Sequence, residues 1–180
     1  MKQFLLLLLI VFVSTKNLRN LDDFNFESFY NELILKHNIL RAKHNSPALT
    51  RLDDLAELAK VTLDGCIAAG TLVHSGTSYN GQWMGQNLHL SSYPPTADSV
   101  LNGWYTKEEK NYDYDTGKSA NGGVVGHFTQ VVWKSSKQIG CAVKTGAWGN
   151  YPNSYYVCCN YFPGGNWVGE ETQNVERPSS

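Results

Sequence analysis

The chain has 180 residues, with 15 Lys and Arg against 16 Asp and Glu and a formal net charge of −1. Its basic residues are scattered, so the phosphate-neutralising stripe that nucleic-acid binding demands is missing and a nucleic-acid partner is not expected. Four cysteines, an even count, suit an oxidising compartment and two disulfides.

In chain order, Lys2 precedes an apolar run over 4–13, and Ser14 and Thr15 supply small residues for cleavage, so residues 1–15 read as a signal peptide. A membrane span needs about 20 apolar residues. This run stops short at Lys16, Asn17 and Arg19, so secretion without a transmembrane anchor is expected. Residues 16–26 form a leader, 27–168 one domain of ordinary size, and 169–180 a polar tail expected to be mobile.

From Asn25, the residues Phe26, Phe29, Tyr30, Leu33, Ile34, His37 and Leu40 fall at spacings of three and four, which predicts a helix ending before Pro47. Leu52, Leu55, Ala56, Ala59, Leu63 and Cys66 repeat that spacing, with Asp53 and Asp54 at the start and Gly70 at the stop. A third helix is predicted over 97–110, held back from an earlier start by Pro94 and Pro95. Residues 86–90, 139–144 and 155–161 are rich in β-branched and aromatic side chains and read as strands, and 128–133 also scores as strand by propensity.

A Gly-containing loop joins the last two predicted strands, so Cys141 is expected to bridge Cys158 or Cys159, a closure worth about 3 kcal/mol. Adjacent residues on a strand face opposite ways, and the remaining cysteine would then pair with Cys66.

His74, Gln86, Glu108 and His127 are the candidate site residues. Two imidazoles and a carboxylate can hold Zn²⁺ with a position open for water, although no His-Glu-x-x-His run is present and the spacing alone does not specify a metal. His37 and Arg41 read as helix anchors bonded to nearby backbone, Trp104 and Trp133 as core, and His44 and His89 as surface residues.

Two runs are more specific. Gly126-His127-Phe128-Thr129-Gln130-Val131-Val132-Trp133 and Cys159-Asn160-Tyr161-Phe162-Pro163-Gly164-Gly165-Asn166 resemble the two signatures of the CAP superfamily, the cysteine-rich secretory, antigen-five and pathogenesis-related proteins. His37-Asn38-Ile39-Leu40-Arg41 is similar to its first-helix motif, and Gly85-Gln86-Asn87-Leu88 to its Gly-Glu-Asn-Leu loop with one change. The resemblance implies an α+β fold, a three-layer α-β-α sandwich around a central antiparallel sheet. It replaces the strand reading of 128–133 by a short helix.

It also implies a cleft tetrad of His74, Gln86, Glu108 and His127, with His74 and His127 as ligands of Zn²⁺ or another divalent cation. Gln86 stands where the family has Glu, and its amide accepts no proton at useful pH. The family spaces Trp and the tetrad Glu three apart, whereas Glu108 lies four after Trp104, with Glu109 the runner-up.

With that tetrad altered and no Gly-x-Ser-x-Gly elbow present, the leading expectation is a monomeric, secreted, non-enzymatic protein. Its partner would be a sterol or other lipid, or an extracellular protein. One alternative is a metal-dependent hydrolase or peptidase using His74, His127 and Glu108. Another is a signalling module that releases its tail after Asn160.

Overall fold

A computed structural model describes residues 24–76 and 78–179. The signal-like segment over 1–15 and most of the leader lie outside the described residues. Helix α1 spans Phe26–Lys43, and the Asn25 side chain caps it by accepting the Ser28 N–H at 2.9 Å. Helix α2 spans Asp53–Ala69 and stops at Gly70, whose φ of 64° is the left-handed geometry glycine adopts without strain.

The strands, in chain order, are β1 Thr50–Arg51, β2 Ser78–Tyr79, β3 Gln82–Trp83, β4 Gly85–Ser91, β5 Tyr112–Asp113, β6 Lys118–Ser119, β7 Gln138–Trp148 and β8 Tyr151–Phe162. Four of them form the central sheet in the order β1-β7-β8-β4, while β2 with β3 and β5 with β6 make small hairpins. The sheet is antiparallel except at one edge, where β1 runs parallel to β7 with Thr50 opposite Gln138. The expected α-β-α sandwich is present, and its antiparallel sheet gains this one parallel edge. The predicted strands over 139–144 and 155–161 extend further, into a hairpin with a two-residue tip.

Helix α2 covers one face of the sheet. A small cluster that includes Ala59, Leu63, Cys66, Leu88, Tyr156 and Cys158 packs between them. Gly140 lets the layers approach, since a Cβ there would stand 2.3 Å from the Ala56 nitrogen. The other face carries α1, α3 (Ala97–Leu101), α4 (Lys107–Glu109) and α5 (Gly126–Val132), packed on a larger core that includes Tyr30, Leu33, Trp104, Phe128 and Trp133. Residues 128–132 are buried on every side, so packing overrides their strand propensity and they form a helix.

The predicted third helix is interrupted. Between α3 and α4, Asn102–Thr106 forms a π-helical turn, which widens the helix by one residue.

Strand alternation sends Cys158 and Cys159 to opposite faces, and Cys141 bridges Cys159, its partner directly across the ladder. The second expected disulfide is not present: Cys66 and Cys158 are buried thiols. Each is occupied locally, Cys66 Sγ with the Val73 N–H and carbonyl at 3.3 Å, and Cys158 Sγ with Asn160 Oδ1 at 3.6 Å. Burial pushes the Cys158 thiol well above its ordinary pKa, so it stays protonated.

The tail is ordered rather than mobile. It folds into a short helix, α6 (Glu171–Asn174), and buries Asn174 and Val175 at the end of α5. The Lys134 and Ser135 N–H groups donate to the Asn174 carbonyl and Oδ1 at 2.9 and 3.1 Å. The Glu176 carboxylate pairs with Lys134, and Ser179 N–H reaches the Lys43 carbonyl at 2.7 Å. Asn160, after which a tail would be released, is fully buried in β8.

His44 is likewise not a surface residue. It is buried between Tyr105 Oη at 2.8 Å and the Glu176 carbonyl at 2.6 Å. His89 is half-buried, its ring edge-on to Trp104.

Two side chains of α1 pin the larger layer. Arg41 is fully buried with no acidic partner. Its guanidinium donates to the carbonyls of Pro47, Val131, Trp133 and Ser136 at 2.8–3.0 Å. These bonds reach across the layer, so Arg41 is a cross-element anchor and not one bonded within its own helix. His37 donates Nδ1–H to the Leu33 carbonyl and accepts the Tyr161 hydroxyl at Nε2, both at 2.8 Å.

Replacing Arg41 by Met would strand several buried carbonyls, so urea denaturation of that variant is expected to show a loss of about 4 kcal/mol or more.

Burial lowers the His37 pKa from 6.5 to about 4. The unfolded chain therefore binds the extra proton between those values. Stability is expected to hold above pH 6.5 and to fall by about 3 kcal/mol as pH drops to 4, with His44 and His89, also lowered by burial, adding in the same direction. Denaturant midpoints measured across that window check the sign.

Candidate functional site

One half of the site is built where α4 meets α5. The buried Glu108 carboxylate accepts Nδ1–H of His127 at 2.6 Å through Oε1, and the N–H groups of His127 and Phe128 at 2.9 and 3.1 Å through Oε2. It satisfies free amides of the first turn of α5 and fixes the imidazole in one act. The Trp104 ring lies nearly parallel to His127, 6.4 Å between centroids, and donates its indole N–H to the Leu88 carbonyl at 2.9 Å. Glu109 turns away to accept the Tyr114 hydroxyl at 3.2 Å, so Glu108 is the residue beside His127. The π-helical turn accounts for the unusual offset: it absorbs the one extra residue between Trp104 and Glu108.

The other half lies between α2 and β4. Gln86 Oε1 accepts the Ser75 N–H at 3.3 Å, which fixes the orientation of the amide. His74 Nδ1, 3.0 Å from the same oxygen, is therefore the donor. Gln86 Nε2 stands 3.0–3.2 Å from Asn160 Oδ1, Ser75 Oγ and Thr62 Oγ1. Asn160 spends its own amide on the Leu55 carbonyl at 3.0 Å, so its oxygen faces position 86 and asks for a donor. A glutamine supplies one and a carboxylate does not.

The four residues thus stand as two pairs. Along β4, Gln86 and Leu88 point to α2, while Gly85, Asn87 and His89 point to the layer of α3 to α5. Each pair lines its own cavity: His74 and Gln86 one of about 310 Å³, and Glu108 and His127, with His89, one of about 410 Å³. His89 is a member that only the register of β4 reveals. Asn87, which donates to the His127 carbonyl at 3.1 Å and the Tyr161 hydroxyl at 3.3 Å, is a second. Its position inside Gly85-Gln86-Asn87-Leu88 is the signal that marks it.

Among the described residues no three His, Cys, Asp or Glu stand together as ligands, whereas zinc takes three or four from protein. What the arrangement does supply is two imidazoles, each held through Nδ1 and presenting Nε2. Exchanging Gln86 for Glu sets a carboxylate against Asn160 Oδ1, and thermal denaturation of Gln86→Glu near neutral pH is expected to show a loss of about 1–3 kcal/mol.

Comparison with known proteins agrees with this architecture. Residues 34–161 match the CAP, or cysteine-rich secretory protein, family. Protein PRY2 of Saccharomyces cerevisiae is 37% identical over 150 residues, covering 82% of this chain and 41% of its own length. Cysteine-rich venom protein VAR5 of Varanus acanthurus is 37% identical over 147 residues, covering 78% and 65%. The chain therefore spans well under the full length of these two relatives. The crystal structure of NaASP2 with Zn²⁺ superposes with a TM-score of 0.58 at 20% identity, over 88% of this chain and 90% of that one, a likeness of fold. With that match over residues 34–161, one signature on α5 and the other at the end of β8 and the loop after it, this chain belongs to the cysteine-rich secretory protein (CAP) family.

Proposed function

We propose that the protein is a secreted binding module that takes an amphipathic apolar molecule, a sterol or another lipid, and does not turn it over. The observation that carries this reading is the cavity of about 410 Å³ beside His127. Its walls include Leu72, Leu90, Trp104 and Trp148, and its polar floor is His89, Glu108 and His127. That volume and that contrast of walls and floor suit a ligand with an apolar body and one polar group. Trp148 stacks on Tyr151 at the hairpin tip, 5.8 Å between centroids, and contributes its indole to the lining.

Turnover has less support. The His127 ring nitrogen Nδ1 is held by the Glu108 carboxylate, which orients the imidazole. Both free thiols are buried away from the cavity. The venom name of the lizard relative agrees with secretion, as does the signal-like segment over 1–15.

Titration of the purified protein with radiolabelled cholesterol and with a long-chain fatty acid tests the reading. Saturable binding is expected for at least one of them, weakened about tenfold in Trp148→Ala. Absence of saturable binding to both would remove it.

A further inference from the structure

We propose that the cavity of about 310 Å³ at His74 and Gln86 is a saccharide site, which stacks a neutral pyranose ring of an oligosaccharide against Trp83 in its lining, with Trp167 edge to face beside that indole. This site shares no lining residue with the cavity assigned above to an apolar ligand and does not depend on that assignment.

Both indoles are exposed, Trp83 by 45% and Trp167 by 50%, and they meet edge to face at 6.5 Å. They are held rigidly. Trp83 donates its indole N–H to the Gly165 carbonyl and Trp167 to the Gly164 carbonyl, each at 3.2 Å. The Gly164 N–H donates to the Trp83 carbonyl at 3.0 Å, and a Cβ on Gly164 would stand 2.4 Å from Trp83 Cδ1, so the glycine makes room for the ring. With their polar groups spent on backbone, the rings offer only flat apolar surface, the surface on which a ring-shaped ligand stacks.

The lining restricts the ligand. It holds His74, Gln86, Gln130 and Asn166 and no Asp, Glu, Lys or Arg. Gln86 and Gln130 are bonded within the protein. Asn166 spends one amide hydrogen on the Gly126 carbonyl at 2.8 Å and accepts from Thr129 at 2.7 Å, which leaves its other hydrogen free. His74 Nε2 is the remaining open polar atom, its Nδ1 being held by Gln86.

A neutral cavity with one imidazole nitrogen, one amide hydrogen and a rigid aromatic wall selects a molecule with an apolar face and hydroxyls at its edge. A pyranose has both: its axial C–H bonds lie on an indole, and its equatorial hydroxyls give and take hydrogen bonds. A quaternary ammonium would gain from the rings but finds no carboxylate.

Calorimetry and indole fluorescence with cello-, laminari- and chito-hexaose test the proposal. At least one is expected to bind with a blue shift of emission, weakened at least about tenfold in Trp83→Ala and in Trp167→Ala and retained in Trp83→Tyr. Should Trp83→Ala fail to fold, Trp167→Ala, at an exposed loop position, decides alone, and its cholesterol and fatty-acid titrations should match those of the unaltered protein. Failure of all three sugars at millimolar concentration, undiminished affinity in Trp167→Ala, or tetramethylammonium binding more tightly than any sugar would overturn it.

Discussion

A fully buried guanidinium with no carboxylate near it organises the larger layer. Arg41 carries five N–H donors in a planar fork, and the chain meets them with four carbonyls from two separate stretches, Pro47 and residues 131–136. Two of these, Val131 and Trp133, belong to the C-terminal end of α5, where free carbonyls await a cation. Burial without a counter-ion lowers the guanidinium pKa to about 10, still far above neutrality. The other end of α5 is reached from the same helix by a relay: His37 holds the Tyr161 hydroxyl, Asn87 donates to that hydroxyl and to the His127 carbonyl, and His127 opens α5. One helix thus sets both ends of the short helix that carries the candidate imidazole.

Strand β4 divides the site. As the edge strand beyond β8, it presents alternate residues to the two helical layers, and each layer answers with its own histidine. On the α5 side the imidazole is fixed by a carboxylate that also serves the helix start. On the α2 side it is fixed by an amide whose donor is demanded by Asn160. The glutamine is therefore fitted to its neighbours, and its consequences for a metal follow from packing around a buried asparagine.

The parts that local periodicity governs were legible in the sequence. The apolar spacing of α1 and α2 and the Gly70 stop appear where short-range rules place them. The opposed faces of Cys158 and Cys159 follow from strand geometry alone. What sequence hid depends on distant partners. His44 is buried because Tyr105 and the Glu176 carbonyl come to it from far along the chain. Residues 128–132 are buried all round, so they carry no amphipathic signal and family resemblance alone gave the helix. The tail looked free because it is polar, yet Asn174 and Val175 fill a seam that only the folded α5 creates. Of the site, the four residue types and positions were readable, but their division into two pairs requires the register of β4.

The disulfide joins neighbours on one hairpin, Cys141 and Cys159, so no covalent link ties α2 to the sheet. That layer is held by a small apolar cluster, the close approach at Gly140 and the Asn160 bond to the Leu55 carbonyl. The opposite layer has the larger core and the Arg41 and His37 anchors. One local opening available to the fold is the lifting of α2 from the sheet while α1 and α5 stay docked. Such an opening uncovers Cys66 and Cys158 together, making two thiols that are inert in the closed fold the first groups to report that it has loosened.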